Sequence, residues 1–289
     1  MRYEGMVYRP PSEARSLIVQ ATLGCSSNTC AFCGMYKEKT FRMRELDQVL
    51  EDFYLARKYY KSIEKIFIAD GDALIMPMER WDKILSCIKK LFPECIRVTS
   101  YATPKSVLLK SSEDLKKLKT QGLKMVYMGL ESGSNEVLKQ MKKGNTAEEI
   151  IEASEKLHEA GIEISVTAIN GLGGRKLKEV HAVKTGRVLS AMKPQYIGLL
   201  TLMIEEGTIL EEIVKKGEFD LLDADEILEE IKIILQNCDC PGSVFRANHA
   251  SNYLPLKGVL NEDKEEMIEK IDRALLGKEG LKPEWMRGL

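Results

Sequence analysis

Residues 124–144 read KMVYMGLESGSNEVLKQMKKG. Lys124–Leu130 is a short, nearly continuous apolar run, the pattern of a strand covered on both faces. The Gly- and Ser-rich turn at 131–134 leads into helical spacing over Asn135–Met141, so the stretch reads as one strand–turn–helix unit. The same unit recurs in both directions. Upstream, strands are expected at Ser16–Thr22, Lys65–Ala69 and Arg97–Tyr101. Helices fall at Leu46–Tyr60, Trp81–Leu91 and Ser112–Gln121, the last stopped by Gly122. Downstream come helix Ala147–Ala160, N-capped by Thr146 and ended by Gly161, then strand Glu163–Ile169, helix Leu177–Met192 and strand Tyr196–Met203. Helices at Ala224–Gln236 and Lys264–Leu276 complete the pattern. Six strands alternating with helices predict an α/β chain with a parallel sheet and right-handed crossovers. A full eightfold barrel takes about 250 residues. Six units ending near residue 216 therefore predict a partial TIM-type (β/α)6 barrel over residues 1–216, with a mostly helical C-terminal extension over 217–289 packed on or across it.

Composition bounds the function. Of 289 residues, 44% are hydrophobic and 30% charged, enough apolar material for a sizeable core. Lys and Arg total 43 against 44 Asp and Glu, a net charge of -1. A chain built to ride a nucleic-acid backbone carries a basic excess, so nucleic acid is not indicated. No apolar run approaches bilayer length, and the start MRYEGMVYRPPSEAR has no signal-peptide core; a cytoplasmic, membrane-free protein is expected.

Seven cysteines need a reason, and three of them crowd into Cys25-Ser-Ser-Asn-Thr-Cys30-Ala-Phe-Cys33. This loop follows the first strand, at the end where α/β folds keep their active sites. Clustered cysteines in such a chain point to metal or catalysis before disulfides. Three thiolates hold three corners of a metal site. None of the three histidines, His158, His181 and His249, lies nearby as a fourth ligand. Two classes stay open: a zinc site completed from a distance by Cys238 or Cys240, or a cubane iron–sulfur cluster with one open iron. Cys87 and Cys95 read as small core residues, and His158 and His181 as surface or boundary residues.

The cysteine loop resembles the cluster loop of the radical SAM superfamily. There, three cysteines, usually spaced by three and two residues, hold a [4Fe–4S] cluster, and S-adenosylmethionine chelates the fourth iron. Here the spacing is four and two, and an aromatic, Phe32, precedes the last cysteine as in the family. The resemblance continues in order along the chain. Asp70-Gly71-Asp72 after the second strand looks like the segment that grips the methionyl ammonium, with carboxylates where Gly, Glu or Thr is usual. Residues 129–144 resemble the branch of anaerobic coproporphyrinogen oxidases, tRNA methylthiotransferases and tRNA-acetyltransferase radical SAM domains. That likeness implies Glu131, beside Ser132, as the ribose contact. It also implies Lys143 as the cation for the methionyl carboxylate, where arginine is more usual. Ile169, Gly171 and Leu172 correspond to the strand end that borders the adenine. Taken together the resemblance covers residues 16–216.

What the resemblance implies is an enzyme. A reduced cluster cleaves S-adenosylmethionine to a 5′-deoxyadenosyl radical, which abstracts hydrogen from an unidentified, small substrate. A one-electron donor of flavodoxin or ferredoxin type is the implied partner. By length, no cobalamin-binding, RNA-binding or acetyltransferase domain is expected. In the extension, the polar stretch holding Arg246, Asn248, His249 and Asn252 is expected to return across the barrel mouth and face the substrate, with His249 as a proton donor or acceptor. Cys238-Asp239-Cys240 reads as surface thiols or a pair near the mouth. A zinc- or Fe–S-containing binding or electron-transfer protein without this chemistry is the alternative.

Overall fold

A computed structural model of the chain describes residues 2–288. They fall into two compact units: residues up to 28 with 35–128 and 152–164, and 29–34 with 129–151 and everything from 165 onward.

In the first unit, β1 (Leu17–Gln20), β2 (Lys65–Ala69), β3 (Arg97–Ala102) and β4 (Leu123–Glu131, up to Met128 here) pair in that order, all parallel. Parallel neighbours need crossovers, and α1 (Leu46–Tyr59), α2 (Met78–Leu91), α3 (Pro104–Leu108) and α4 (Ser112–Gln121) supply them. Each helix buries one stripe. In α2 the stripe is Trp81, Ile84, Leu85 and Ile88, an i, i+3, i+4, i+7 set. A capping box of Ser111 and Asp114 starts α4, and Gly122, at φ +123°, ends it as expected. On one face of the strands Phe67, Ala69, Met125 and Tyr127 form an apolar cluster, with Tyr101 edge-on to Phe67 at 5.1 Å between ring centroids.

The second unit carries the end of β4 and α5 (Asn135–Gln140). The start of α6 (Ala147–Glu159) follows, its Thr146 and Glu149 forming a capping box. Next come β5 (Glu163–Asn170), α7 (Gly174–Met192), β6 (Tyr196–Thr201), α8 (Ile209–Lys215) and α9 (Ala224–Gln236). Strand β6 pairs parallel to β5 from Ser165↔Tyr196 to Asn170↔Thr201. Along β5, Ile164, Val166, Ala168 and Asn170 are buried while the residues between them are only half-buried, the alternation of a strand with two different faces. Helices α7 and α9 pack closely: a Cβ at Gly186 would stand 2.6 Å from the Ile234 carbonyl, so only glycine permits the contact.

The extension keeps the two helices expected of it and adds a strand pair. Between α9 and α10 (Lys264–Leu275) it forms two strands, β7 (Ser243–Ala247) and β8 (Leu256–Leu260). The first pairs parallel to β6 through Tyr196↔Val244 and Gly198↔Arg246, and the second returns antiparallel to β7. Ser243, Phe245 and Ala247 alternate as buried residues, a period-2 signal masked in the sequence by Arg246 and the polar run that follows. No helix among the described residues is long and apolar enough to cross a membrane.

Candidate functional site

Cys25 lies in the first unit, beyond the end of β1, and the turn after β2 holds it there. Gly71 N–H donates to the Gly24 carbonyl at 3.1 Å. A Cβ on Gly71 would come within 2.9 Å of the Cys25 Cβ and 2.7 Å of the Tyr36 ring, so the approach requires glycine. The two aspartates beside Gly71 clasp the residues beside Cys25. Asp70 Oδ2 accepts from Gly24 N–H at 3.2 Å, Gln20 Nε2 at 2.8 Å and Lys39 Nζ at 3.0 Å. Asp72 accepts from the Ser26 hydroxyl, and from Thr103 through both its N–H at 3.2 Å and its hydroxyl at 3.0 Å. Both side chains are fully buried. Burial pushes both carboxyls up, and the hydrogen bonds from Lys39 to Asp70 and from Ser26 to Asp72 pull them partly back. Asp70 Oδ1 has no hydrogen-bond partner among the described residues. The carboxylates expected beside an ammonium thus also fasten the cysteine loop.

In the second unit, Cys30 and Cys33 pack against an apolar cluster that contains Phe32 and Leu172, and Ile169 packs against the same cluster. Phe32 of the cysteine loop therefore shares one apolar patch with Ile169 and Leu172, the residues assigned by resemblance to the adenine. Backbone bonds fix the loop: Ala31 N–H donates to the Met141 carbonyl at 2.8 Å, and the Ala31 carbonyl accepts from Leu210 N–H at 2.9 Å. The Glu205 carboxylate fills the space that a side chain at Gly34 would need. Burial pushes the Cys30 thiol up, against the nearby Lys143 cation. All seven cysteines are thiols. Among the described residues no group of three or more His, Cys, Asp or Glu side chains is gathered at metal-ligating distance.

Glu131 and Lys143 meet. Lys143 Nζ donates to Glu131 Oε1 at 3.0 Å, and both side chains are largely buried. Glu131 has φ +61°, the left-handed region that non-glycine residues avoid, and its Oε2 is buried without a hydrogen-bond partner among the described residues. A strained backbone that presents a half-satisfied carboxylate beside a lysine suits a ligand carrying both hydroxyl and carboxylate groups.

Just beyond lies a buried polar chain. Ser132 Oγ and His181 Nδ1 are 2.7 Å apart, and His181 Nε2 bonds the Ile169 carbonyl at 3.1 Å. Glu230 on α9 accepts from Gly171 N–H at 2.5 Å. Burial holds His181 neutral, its pKa pushed down to about 4, and holds Glu230 protonated, pushed up to about 8. Asn170, also fully buried, has no hydrogen-bond partner for either amide atom among the described residues. The expectation that His181 is a surface or boundary residue is corrected: it is wholly buried and ties the end of β4 to the end of β5. Glu230 was legible only as one acid among several on an amphipathic helix. The signal for His181 was its place one helical turn from Leu177 and Thr185, inside the apolar stripe of α7.

The extension's expected substrate residues divide. The turn after β7 lies at the C-terminal end of β6, because Ser251 Oγ accepts from Thr201 N–H at 3.1 Å. Asn252 is buried and satisfied at both ends, by Thr201 Oγ1 at 2.9 Å and the Leu199 carbonyl at 2.9 Å. Its amide is spent on the strand, not open to a substrate. Arg246 is exposed and donates to the Phe245 carbonyl at 2.8 Å, and Asn248 is exposed. His249 is half-buried, with Nδ1 accepting from Ser251 N–H at 3.2 Å. Cys87 and Cys95 are half-buried rather than core residues, whereas Cys238 and Cys240, expected at the surface or the mouth, are both buried.

A parallel α/β chain with a cysteine loop behind its first strand and polar groups at its strand ends is built like a cofactor-dependent partial-barrel enzyme. The Radical SAM superfamily model matches residues 19–185, more than half of the chain, and the chain belongs to that superfamily. The cofactors of that family are a [4Fe–4S] cluster and S-adenosylmethionine. The chain is 22% identical to the heme chaperone HemW of Bacillus subtilis over 190 residues, 65% of this chain and 49% of that one. Among solved structures it resembles the radical S-adenosylmethionine methyltransferase TsrM of Kitasatospora setae, with cobalamin and a [4Fe–4S] cluster bound (TM-score 0.58, 18% identity, 70% of this chain and 39% of that one). It also resembles methylornithine synthase (TM-score 0.52, 14% identity, 92% and 83%). These likenesses bear out the fold class, α/β of the partial-barrel type. The chain spans about half the length of HemW and less of TsrM.

Proposed function

We propose that the chain is a radical SAM enzyme that abstracts hydrogen from a small substrate. The observation that carries this reading is the clasp on Cys25: two buried aspartates and one obligatory glycine fasten the first cysteine of a family-matched loop. Three thiols on one loop are the donor set that a site-open cubane takes. When bound, that cluster supplies one electron that cleaves S-adenosylmethionine and generates the 5′-deoxyadenosyl radical.

The chain's own residues do the rest. Cys25, Cys30 and Cys33 are the ligands, and Asp70 and Asp72 keep the first of them in position. Glu131 and Lys143 bind the polar ends of the cofactor, the carboxylate toward ribose hydroxyls and the lysine toward the methionyl carboxylate. Phe32, Ile169 and Leu172 offer an apolar surface to the adenine, and Gly171 lets the backbone approach it. Ser132, His181 and Glu230 hold the two strand ends that carry these groups. His249, at the end of β6, is the residue of the extension assigned to the substrate. Residues 1–216 serve as the catalytic core and 217–289 as the C-terminal extension. A flavodoxin or ferredoxin in the cytoplasm is the proposed electron donor.

Anaerobic reconstitution tests the reading. The expected product is a brown protein with about four irons per chain that releases 5′-deoxyadenosine when a strong reductant and S-adenosylmethionine are added. Colourless protein holding one tightly bound zinc would overturn it.

A further inference from the structure

Cys238 and Cys240 have no part in the site above. They flank Asp239 between α9 and β7, beside the N-terminal start of β6, where Ser243 Oγ donates to the Pro194 carbonyl at 2.6 Å. Both are buried, at 2% and 1% exposure. The Cys238 thiol donates to Cys240 Sγ across 3.4 Å, and the Cys240 thiol donates to the Leu189 carbonyl at 3.1 Å.

We propose that this pair is a site of reversible oxidation that closes to a disulfide with hydrogen peroxide as the oxidant. Three observations carry it. First, the sulfurs already face each other, and an S–S bond of about 2.05 Å needs a shift of only about 1.4 Å. Second, the intervening turn is anchored without using either thiol: Asp239 N–H donates to Ser190 Oγ at 2.8 Å and Cys240 N–H to Asn261 Oδ1 at 3.3 Å. The bond can therefore close while those anchors persist. Third, a cavity of about 250 Å³, lined by Asp239, Pro241, Gly242 and Ser243 together with Pro194 and Gln195, opens on that turn. A peroxide molecule fits within that volume and comes up to Asp239, the residue between the two cysteines.

The chemistry balances without a further reactant. Cys240 sulfur, which receives the hydrogen bond from its neighbour, attacks the peroxide O–O bond, becoming a sulfenic acid as hydroxide leaves. Cys238 sulfur then displaces that oxygen as water. Two thiols and one peroxide become one disulfide and two waters; sulfur is oxidised and peroxide oxygen reduced. A thiol reductant reverses the step.

The test uses the whole chain of 289 residues, prepared anaerobically, treated with graded hydrogen peroxide, then unfolded, alkylated and digested. The peptide carrying 238–240 should lose both alkylation sites and two hydrogens at doses that leave Cys87 and Cys95 alkylatable. Dithiothreitol should restore both sites. Cys238→Ser should instead leave Cys240 as a sulfenic or higher acid, with the fold checked by circular dichroism. The proposal fails if the wild-type peptide stays fully alkylatable when Cys87 and Cys95 are oxidised, or if Cys240 goes to sulfinic acid with Cys238 unchanged.

Discussion

Asp70 accepts the backbone N–H of Gly24 at 3.2 Å, and so fastens the residue before Cys25 to the turn after β2. Asp72 does the same for the residue after it, through the Ser26 hydroxyl. Asp70→Ala removes a carboxylate that three donors share, and charged hydrogen bonds are worth about 1.5–3 kcal/mol each. The expected outcome is a destabilised chain that retains less iron after reconstitution. Asp72→Asn keeps an acceptor and should lose less of both. Equal iron content in wild type and Asp70→Ala would separate the clasp from cluster assembly.

Cys25→Ala, Cys30→Ala and Cys33→Ala should each prevent cluster retention and abolish 5′-deoxyadenosine release, since each removes one ligand. The readouts are iron per chain and product by chromatography. Cys87→Ala, placed outside the loop, should change neither.

Lys143→Ala should weaken S-adenosylmethionine binding by tenfold or more, the scale of a lost charge-assisted contact of about 1.5–3 kcal/mol. Calorimetry on anaerobically reconstituted protein reads this directly. Lys143→Arg should retain binding, because it keeps the charge and adds a bidentate fork. Gly129→Ala should weaken it too, since a Cβ there would stand 2.8 Å from Lys143 Nζ and press on the Glu131 carboxylate.

Stability should fall on the alkaline side because of Glu230. Its folded pKa of about 8 lies above the ordinary 4.5, so between these values the folded chain holds one more proton than the unfolded chain, and stability declines as pH rises. His181, lowered to about 4 from 6.5, acts oppositely: the stability of its neutral form is present above 6.5 and lost as pH falls toward 4. The two slopes oppose each other between 4.5 and 6.5, which leaves a decline between 6.5 and 8 due to Glu230. Glu230→Gln, which can still accept from Gly171, should flatten that decline in urea unfolding midpoints.

Asn252→Ala should cost stability on the order of 1–3 kcal/mol, because it orphans the Leu199 carbonyl and the Thr201 hydroxyl. His249→Ala should leave the unfolding midpoint and uncoupled cofactor cleavage near wild type and reduce coupled turnover of a substrate.

The sequence by itself determined the barrel strands, the helices between them and the three-cysteine loop. Each is a local signal: continuous apolar runs of strand length, a 3.6-residue stripe, glycine stops and a dense thiol spacing. Gly122 and Thr146 ended and began helices as their chemistry requires. Other features belonged to the tertiary structure because they depend on what a side chain meets. His181 and Glu230 look like surface residues of amphipathic helices until packing withdraws water from them and favours the neutral form of both. Asn252 looked open to a substrate, but its partners lie on β6, some 50 residues away in the chain. Strand β7 needed the edge of β6 as a template, and β8 that of β7, since a short strand gains its backbone hydrogen bonds only from a neighbour already in place. Cys238 and Cys240 were visible as a motif, but their burial and the 3.4 Å between their sulfurs come from the junction of α9 with β7.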